Sequence, residues 1–153
     1  MRTIEPWVAS PLATFVAESQ GRIALLMTSS GQVVAQHGFT RSLDVMTAAA
    51  LGAGIVASTR AIASEMQAGE FGAVVHHNPR TGVYLAPFAM PDAQWIGLAV
   101  FGPDTSLGMV QLFFGRMIDD LVKVAPRDPP PRQVLAETFE DDLDSSLRAL
   151  FGR

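Results

Sequence analysis

Apolar residues in this chain fall into alternating blocks of helical and strand-like spacing, and the order of those blocks is the first clue to its architecture. Ser10-Pro11 reads as an N-cap followed by proline at the first helical position, opening a short helix with Leu12, Phe15 and Val16 on one side and ending at Gly21. Two β-rich runs follow, Ile23–Met27 and Val33–His37, and the five residues Thr28-Ser29-Ser30-Gly31-Gln32 between them predict a hairpin. From about Leu43 to Ala68 the composition is that of a long helix, with Ser42 or Asp44 as its N-cap. Three further strand-like runs, Phe71–His77, Val83–Met90 and Trp95–Phe101, are separated by the turn-forming segments Asn78–Gly82 and Pro91–Ala93. Pro87 should place its strand at an edge or a bulge, because proline donates no ladder hydrogen bond. Pro103-Asp104-Thr105-Ser106 starts another helix, with Leu107, Val110, Phe114, Met117, Ile118 and Leu121 on one face and Gln111, Arg116, Asp119, Asp120 and Lys123 on the other.

Pro126 stops that helix. Pro129-Pro130-Pro131 predicts a stiff spacer, and Leu135, Phe139, Leu143, Leu147, Leu150 and Phe151 then recur at helical spacing. The predicted order is α-ββ-α-βββ-α, linker, α. Short turns favour an antiparallel sheet with helices layered on its faces, an α+β class. The implied division is a folded unit over residues 8–125, a Pro-rich linker over 126–132 and a C-terminal amphipathic helix over 133–151.

The long helix carries two apolar stripes. At about 100° per residue, Leu51, Ile55, Ile62 and Met66 share one side with Ala48 and Thr59, and bulk of this kind is the expected contact with the sheet. The opposite side carries Ala50, Ala53, Gly54, Ala57, Ala61, Ser64 and Ala68, bordered by Arg60 and Glu65. A solvated helix face normally carries charge. Gly52 and Gly54 each cost roughly 1 kcal/mol relative to alanine in a helix interior, so such a face needs a reason. Small residues let a second backbone approach closely, which points to Ala50, Ala53, Gly54, Ala57, Arg60, Ala61 and Ser64 as both the seam of a homodimer and the platform for a further protein partner. The alternative is that the chain buries this face beneath itself.

Composition removes several function classes. The chain is 153 residues long and 48% apolar, enough for one real core. A net charge of −4 with Lys123 as the only lysine opposes a nucleic-acid surface. The absence of cysteine excludes disulfides and thiolate metal sites. No phosphate-cradling Gly-rich loop ending in Lys-Ser/Thr occurs, and Gly52-Ala53-Gly54 follows helix rather than strand, which disqualifies it as a dinucleotide fingerprint. His76 and His77 are adjacent on a strand and should point to opposite faces, a poor arrangement for sharing one metal. Ser29 and Ser30 with His37 lack a third orienting group for nucleophilic catalysis. Glu140-Asp141-Asp142 with Asp144 lacks the alternating ligands of a Ca²⁺ loop. No catalytic residue, cofactor or metal is expected. Met1–Pro6 lacks the charged-then-apolar run of a secretory signal, and Val45–Ala57, the longest apolar stretch, is too short for a bilayer, so a cytoplasmic protein is expected.

Three segments together resemble the Roadblock (dynein light-chain) family. They are Ala53-Gly54-Ile55-Val56-Ala57 leading into Gly69-Glu70-Phe71, the junction Asp104-Thr105-Ser106-Leu107-Gly108-Met109-Val110, and the tail Phe139–Asp144 with Leu150-Phe151. The tail resembles that of the MglB-type branch, bacterial regulators of a Ras-like GTPase linked to cell polarity and motility. That resemblance implies an antiparallel sheet between helices and a homodimer built through the long helix and third strand. It also implies a GTPase partner whose own catalytic groups are reorganised, with no arginine finger donated. Two other functions fit the same element order: a non-catalytic scaffold subunit, or a sensor of small molecules using the sheet as a platform.

Overall fold

Bulky strand residues on both faces of one sheet decide where every helix sits. In the computed structural model, residues 6–39, 41–69, 72–126 and 143–150 are described. The elements are α1 (Pro6–Ser19), β1 (Ile23–Thr28), β2 (Val33–His37), α2 (Ser42–Glu65), β3 (Val74–His77), β4 (Gly82–Ala89), β5 (Gln94–Phe101) and α3 (Leu107–Val124). Residues 143–150 form a further helix, α4. The five strands make one antiparallel sheet in the order β2-β1-β5-β4-β3. This is the α+β arrangement the sequence predicts.

Alternation along the strands gives each face its own core. Ala24, Leu26, Tyr84, Ala86, Phe88, Ala99 and Phe101 point to one face and are covered by α1 and α3. Leu25, Met27, Leu85 and Ile96 point to the other, under α2. The first core centres on Phe114, whose ring meets Tyr84, Phe88 and Phe15 edge-on at 5.1, 5.8 and 5.9 Å. Gly97 of β5 lies directly beneath that ring, where a Cβ would overlap its edge.

Several local expectations are corrected. α1 begins at Pro6, and Pro11 lies inside it, so Ser10 is no cap. The helix closes at Gln20, in the left-handed region at φ 57°, and the Gly21 amide donates to the Val16 carbonyl at 3.2 Å. The N-cap of α2 is Arg41, with no side-chain cap, so neither Ser42 nor Asp44 caps it; Asp44 sits in the first turn, where its charge suits the helix dipole. β3 is shorter than its apolar run suggests. The β3–β4 ladder ends at the Val74–Leu85 pair, so Pro87 lies where the outer edge of β4 has no paired strand among the described residues. A locally free edge meets proline's requirement inside an interior strand. By contrast, Ser106 caps α3 by accepting from the Met109 amide at 3.3 Å, in line with the sequence.

Asp44–Glu65 is long and apolar enough by composition to cross a membrane, longer than the Val45–Ala57 stretch the sequence offered. Its Val45, Ala49, Ala53, Val56 and Ala63 are buried against the rest of the chain, which makes α2 a packed helix of this domain.

Burial pushes the Tyr84 phenol above its ordinary pKa, because the phenolate loses hydration beside the aromatic cluster. Tyr84 is the single tyrosine, so phenolate absorbance reports it alone. The titration midpoint should lie above the ordinary value of 10.0. The sign follows: stability held by the neutral phenol is complete below the unfolded value and is lost as pH rises through the raised folded one. A midpoint at or below the ordinary value, measured before unfolding, would contradict this packing.

Candidate functional site: the outer faces of α2

The face α2 turns toward the sheet is neither of the two stripes the sequence singles out but a third one lying between them. Ala49, Gly52, Ala53, Val56 and Ala63 are buried inward, joined by Val45. Leu51, Ile55, Ile62 and Met66 are 64, 45, 51 and 67% exposed. They are therefore not the core contacts expected of them. The physical reason lies in the sheet, whose α2 face is already bulky with Leu25, Met27, Leu85 and Ile96. Only a small-residue stripe fits close above it. A Cβ on Gly52 would stand 3.2 Å from Met27 Cε and 3.4 Å from Leu85 Cδ1, tighter than most side-chain contacts. Those strand residues were the available signal in the sequence, since their bulk leaves no room for a second bulky layer.

Six residues of the proposed platform, Ala50, Gly54, Ala57, Arg60, Ala61 and Ser64, are exposed, and Ala53 is buried at the margin of the sheet-facing stripe. The exposed surface of α2 thus has two flanks, separated by roughly a third of a turn. One is bulky and apolar (Leu51, Ile55, Ile62, Met66); the other is small and smooth from Ala50 to Ser64 (with Gly54, Ala57 and Ala61), with the exposed Met46 one turn before it. Their directions follow from local packing. Gly52, beside the bulky flank, rests over Leu85, the cross-strand partner of Val74 in β3. Ala50 and Ala53, beside the smooth flank, lie against Gly31 in the β1–β2 turn. Gly52 also rests over Met27 of β1, so α2 lies across the middle of the sheet.

The arginines differ in how they are held. Arg60 Nη2 donates to Gln94 Oε1 at 2.7 Å, tying the side chain to the start of β5. It lines a groove of about 670 Å³ with Ala63, Ser64 and the β4 residues Pro87–Ala89. Arg80 sits in the β3–β4 turn, where Asn78 Oδ1 accepts from the amides of Arg80 and Thr81 at 2.8 and 2.9 Å. Its backbone is thus better ordered than the turn sequence implies. Arg41 is exposed at the start of α2.

The remaining candidates stay apart. Ser29 and Ser30 sit in the β1–β2 turn, and His37 is at the far end of β2, paired with Ala24. His76 and His77 are exposed on β3 and alternate, His76 sharing the side of Val74 and His77 that of Val75. Among the described residues no group of three or more His, Asp or Glu side chains is placed to hold a metal. Of the tail residues, Leu143, Leu147 and Leu150 are helical and exposed, and Leu135, Phe139 and Phe151 lie outside the described residues, as does the linker beyond Pro126.

The sequence matches no family model and no curated protein. Solved structures do match. MglB of Myxococcus xanthus superposes with a TM-score of 0.68 at 23% identity, over 78% of this chain and 94% of that one. The gliding protein MglB of Thermus thermophilus superposes at 0.65 with 27% identity, over 78% and 88%. A Roadblock/LC7 domain of Streptomyces avermitilis superposes at 0.64 with 15% identity, over 72% and 91%. The chain has the Roadblock fold. Within this Roadblock domain, β3 is an edge strand and α2 the helix whose outer faces are uncovered.

A Cβ on Gly54 would meet nothing within 4 Å, so the isolated domain gains nothing from glycine there. Gly54→Ala should raise the stability of the isolated domain by up to about 1 kcal/mol, measured by denaturant unfolding. A loss instead would mean that Gly54 serves the fold rather than the exposed face.

Proposed function

We propose that this chain is a dimeric regulator of a small Ras-like GTPase, working in the cytoplasm and contributing no catalytic side chain of its own. The observation that carries the reading is the two-flanked surface of α2 on an MglB-like Roadblock fold. The bulky flank is the homodimer seam. A second copy can bury Leu51, Ile55, Ile62 and Met66 there, and β3, an edge strand of the sheet, is open to pairing with its counterpart. Fully burying one such side chain contributes roughly 1.5–3 kcal/mol, whereas leaving all four in water has no compensation. A solved MglB structure, 26% identical, is described as having a tetrameric arrangement, which supports self-association.

The smooth flank is the GTPase platform. It is built for close backbone approach to a mobile segment and stabilises that segment's hydrolysis-competent arrangement by differential binding. The folded unit over 8–125 carries both flanks, and the C-terminal helix over 133–151 is the arm that engages the GTPase across the 126–132 linker. The link to polarity or motility rests on the same resemblance. Arginine insertion is the competing mechanism, and Asn78 makes Arg80 its best representative, because a positioned finger needs an ordered backbone.

The flanks separate by mutation. Ile55→Asp should yield a folded monomer by light scattering, and Ala57→Arg should leave the dimer intact but abolish stimulation of GTP hydrolysis. Arg41→Ala, Arg60→Ala and Arg80→Ala should each keep maximal stimulation within about tenfold, roughly 1.4 kcal/mol of barrier. A wild-type chain that stays monomeric at high micromolar concentration would remove the seam. A thousandfold loss from Arg80→Ala with binding preserved would make that residue a finger.

A further inference from the structure

α3 breaks its own amphipathic pattern over its first half. Val110, Phe114, Met117 and Leu121 are buried, and the C-terminal half of the outer surface carries Asp119, Asp120 and Lys123, with Val124 exposed at 49% at its last residue. The N-terminal half instead exposes Met109 and Leu112, at 42 and 49%. Gly115 adjoins Leu112 there. A methyl on it would meet nothing within 4 Å, so no packing inside the domain calls for glycine. Glycine in mid-helix weakens the helix, yet it leaves a shallow notch that a side chain of a second helix can enter.

The chain carries such a helix. Leu143, Leu147 and Leu150 form one stripe of α4, exposed at 47, 43 and 77%. An isolated helix this short is marginal in water and needs a surface to persist. Residues 127–142 can span on the order of 50 Å. The way back along α3 from Pro126 to Leu112 is on the order of 20 Å. Laid antiparallel with Leu147 level with Leu112, α4 brings Asp144 level with Arg116, a pair of opposite charge. The Arg116 guanidinium is already held 5.1 Å from the Phe113 ring centroid, beside the notch.

We infer that the Met109–Leu112–Gly115–Arg116 face of α3 is the docking site of the chain's own C-terminal helix. α3 and α2 cover opposite faces of the sheet, so a docked α4 is parked away from the platform. Its leucines are then unavailable to the GTPase, which must release them before the arm can engage. That consequence rests on the regulatory reading above; the docking does not.

The absence of native cysteine permits a direct test on the full chain. Leu112→Cys with Leu147→Cys should form an intrachain disulfide on mild oxidation. It should form at least about tenfold faster than the control pair Asp92→Cys with Leu147→Cys, Asp92 being exposed in the β4–β5 turn, because docking raises the effective concentration above that set by the linker. In parallel, the 143–150 amides should show hydrogen-exchange protection that Leu112→Asp removes. Equal rates for the two pairs, bridging between copies in place of within one chain, or amides unprotected in the wild-type chain would each overturn the docking. Loss of GTPase stimulation with docking intact would strike only the regulatory reading.

Discussion

The tight fit of α2 on the sheet is the constraint from which the rest of the surface follows. Met27, Leu85 and Ile96 stand up from the strands, and the helix can approach only by presenting Ala49, Gly52, Ala53 and Ala63 to them. A helix has a limited circumference, and the inward stripe is taken by small residues. Its bulky residues are consequently forced to the outside, where they gain nothing until another surface covers them. In the proposed dimer, self-association would be a by-product of how the monomer packs, and the same geometry would leave the smooth flank for a different partner.

The opposite face of the sheet follows another rule. There α1 and α3 bring the bulk themselves, and the strands yield to it at Gly97, beneath the Phe114 ring. The sheet is bulky on both faces, and it makes room for large helical residues on one side at Gly97 and for α2 on the other only through the helix's own small residues. The side filled by large helical residues is the self-sufficient one, except at Met109, Leu112 and Val124. The side filled by small helical residues is unfinished along the whole of α2.

Much of this was legible from the sequence where a single pattern stood alone. The α3 stripe of Val110, Phe114, Met117 and Leu121, the Ser106 cap and the β1–β2 hairpin each had one consistent reading, and the structure agrees with it. α2 failed as a reading because small and apolar residues run most of the way round it, so the two stripes read from periodicity both lie outside and the sheet covers a third, of Val45, Ala49, Gly52, Ala53, Val56 and Ala63. Assigning bulk to the core is sound for one helix in isolation. It fails when the facing layer is already full, and that is a property of two elements considered together. The ordered turn at Arg80 was hidden for a related reason. Asn78-Pro79 signals a turn, but which amides its side chain accepts depends on the β3–β4 register.

An exposed α2 flank and a short edge strand in one domain also constrain what kind of partner each surface can take. β3 pairs with β4 over only Val74–His77, and half of that segment is the exposed His76-His77. So short an edge offers few ladder hydrogen bonds, and alone it would make a weak and promiscuous contact. The bulky α2 flank supplies the area and shape that the edge lacks, and the edge supplies the register that an apolar flank lacks. In the proposed dimer the two together would favour a second copy of the same chain over an arbitrary strand or an arbitrary helix, since that copy offers both features. The smooth flank makes no such demand. Its specificity must come from the partner, whose backbone has to be flat and close enough to use a surface with almost no side chains.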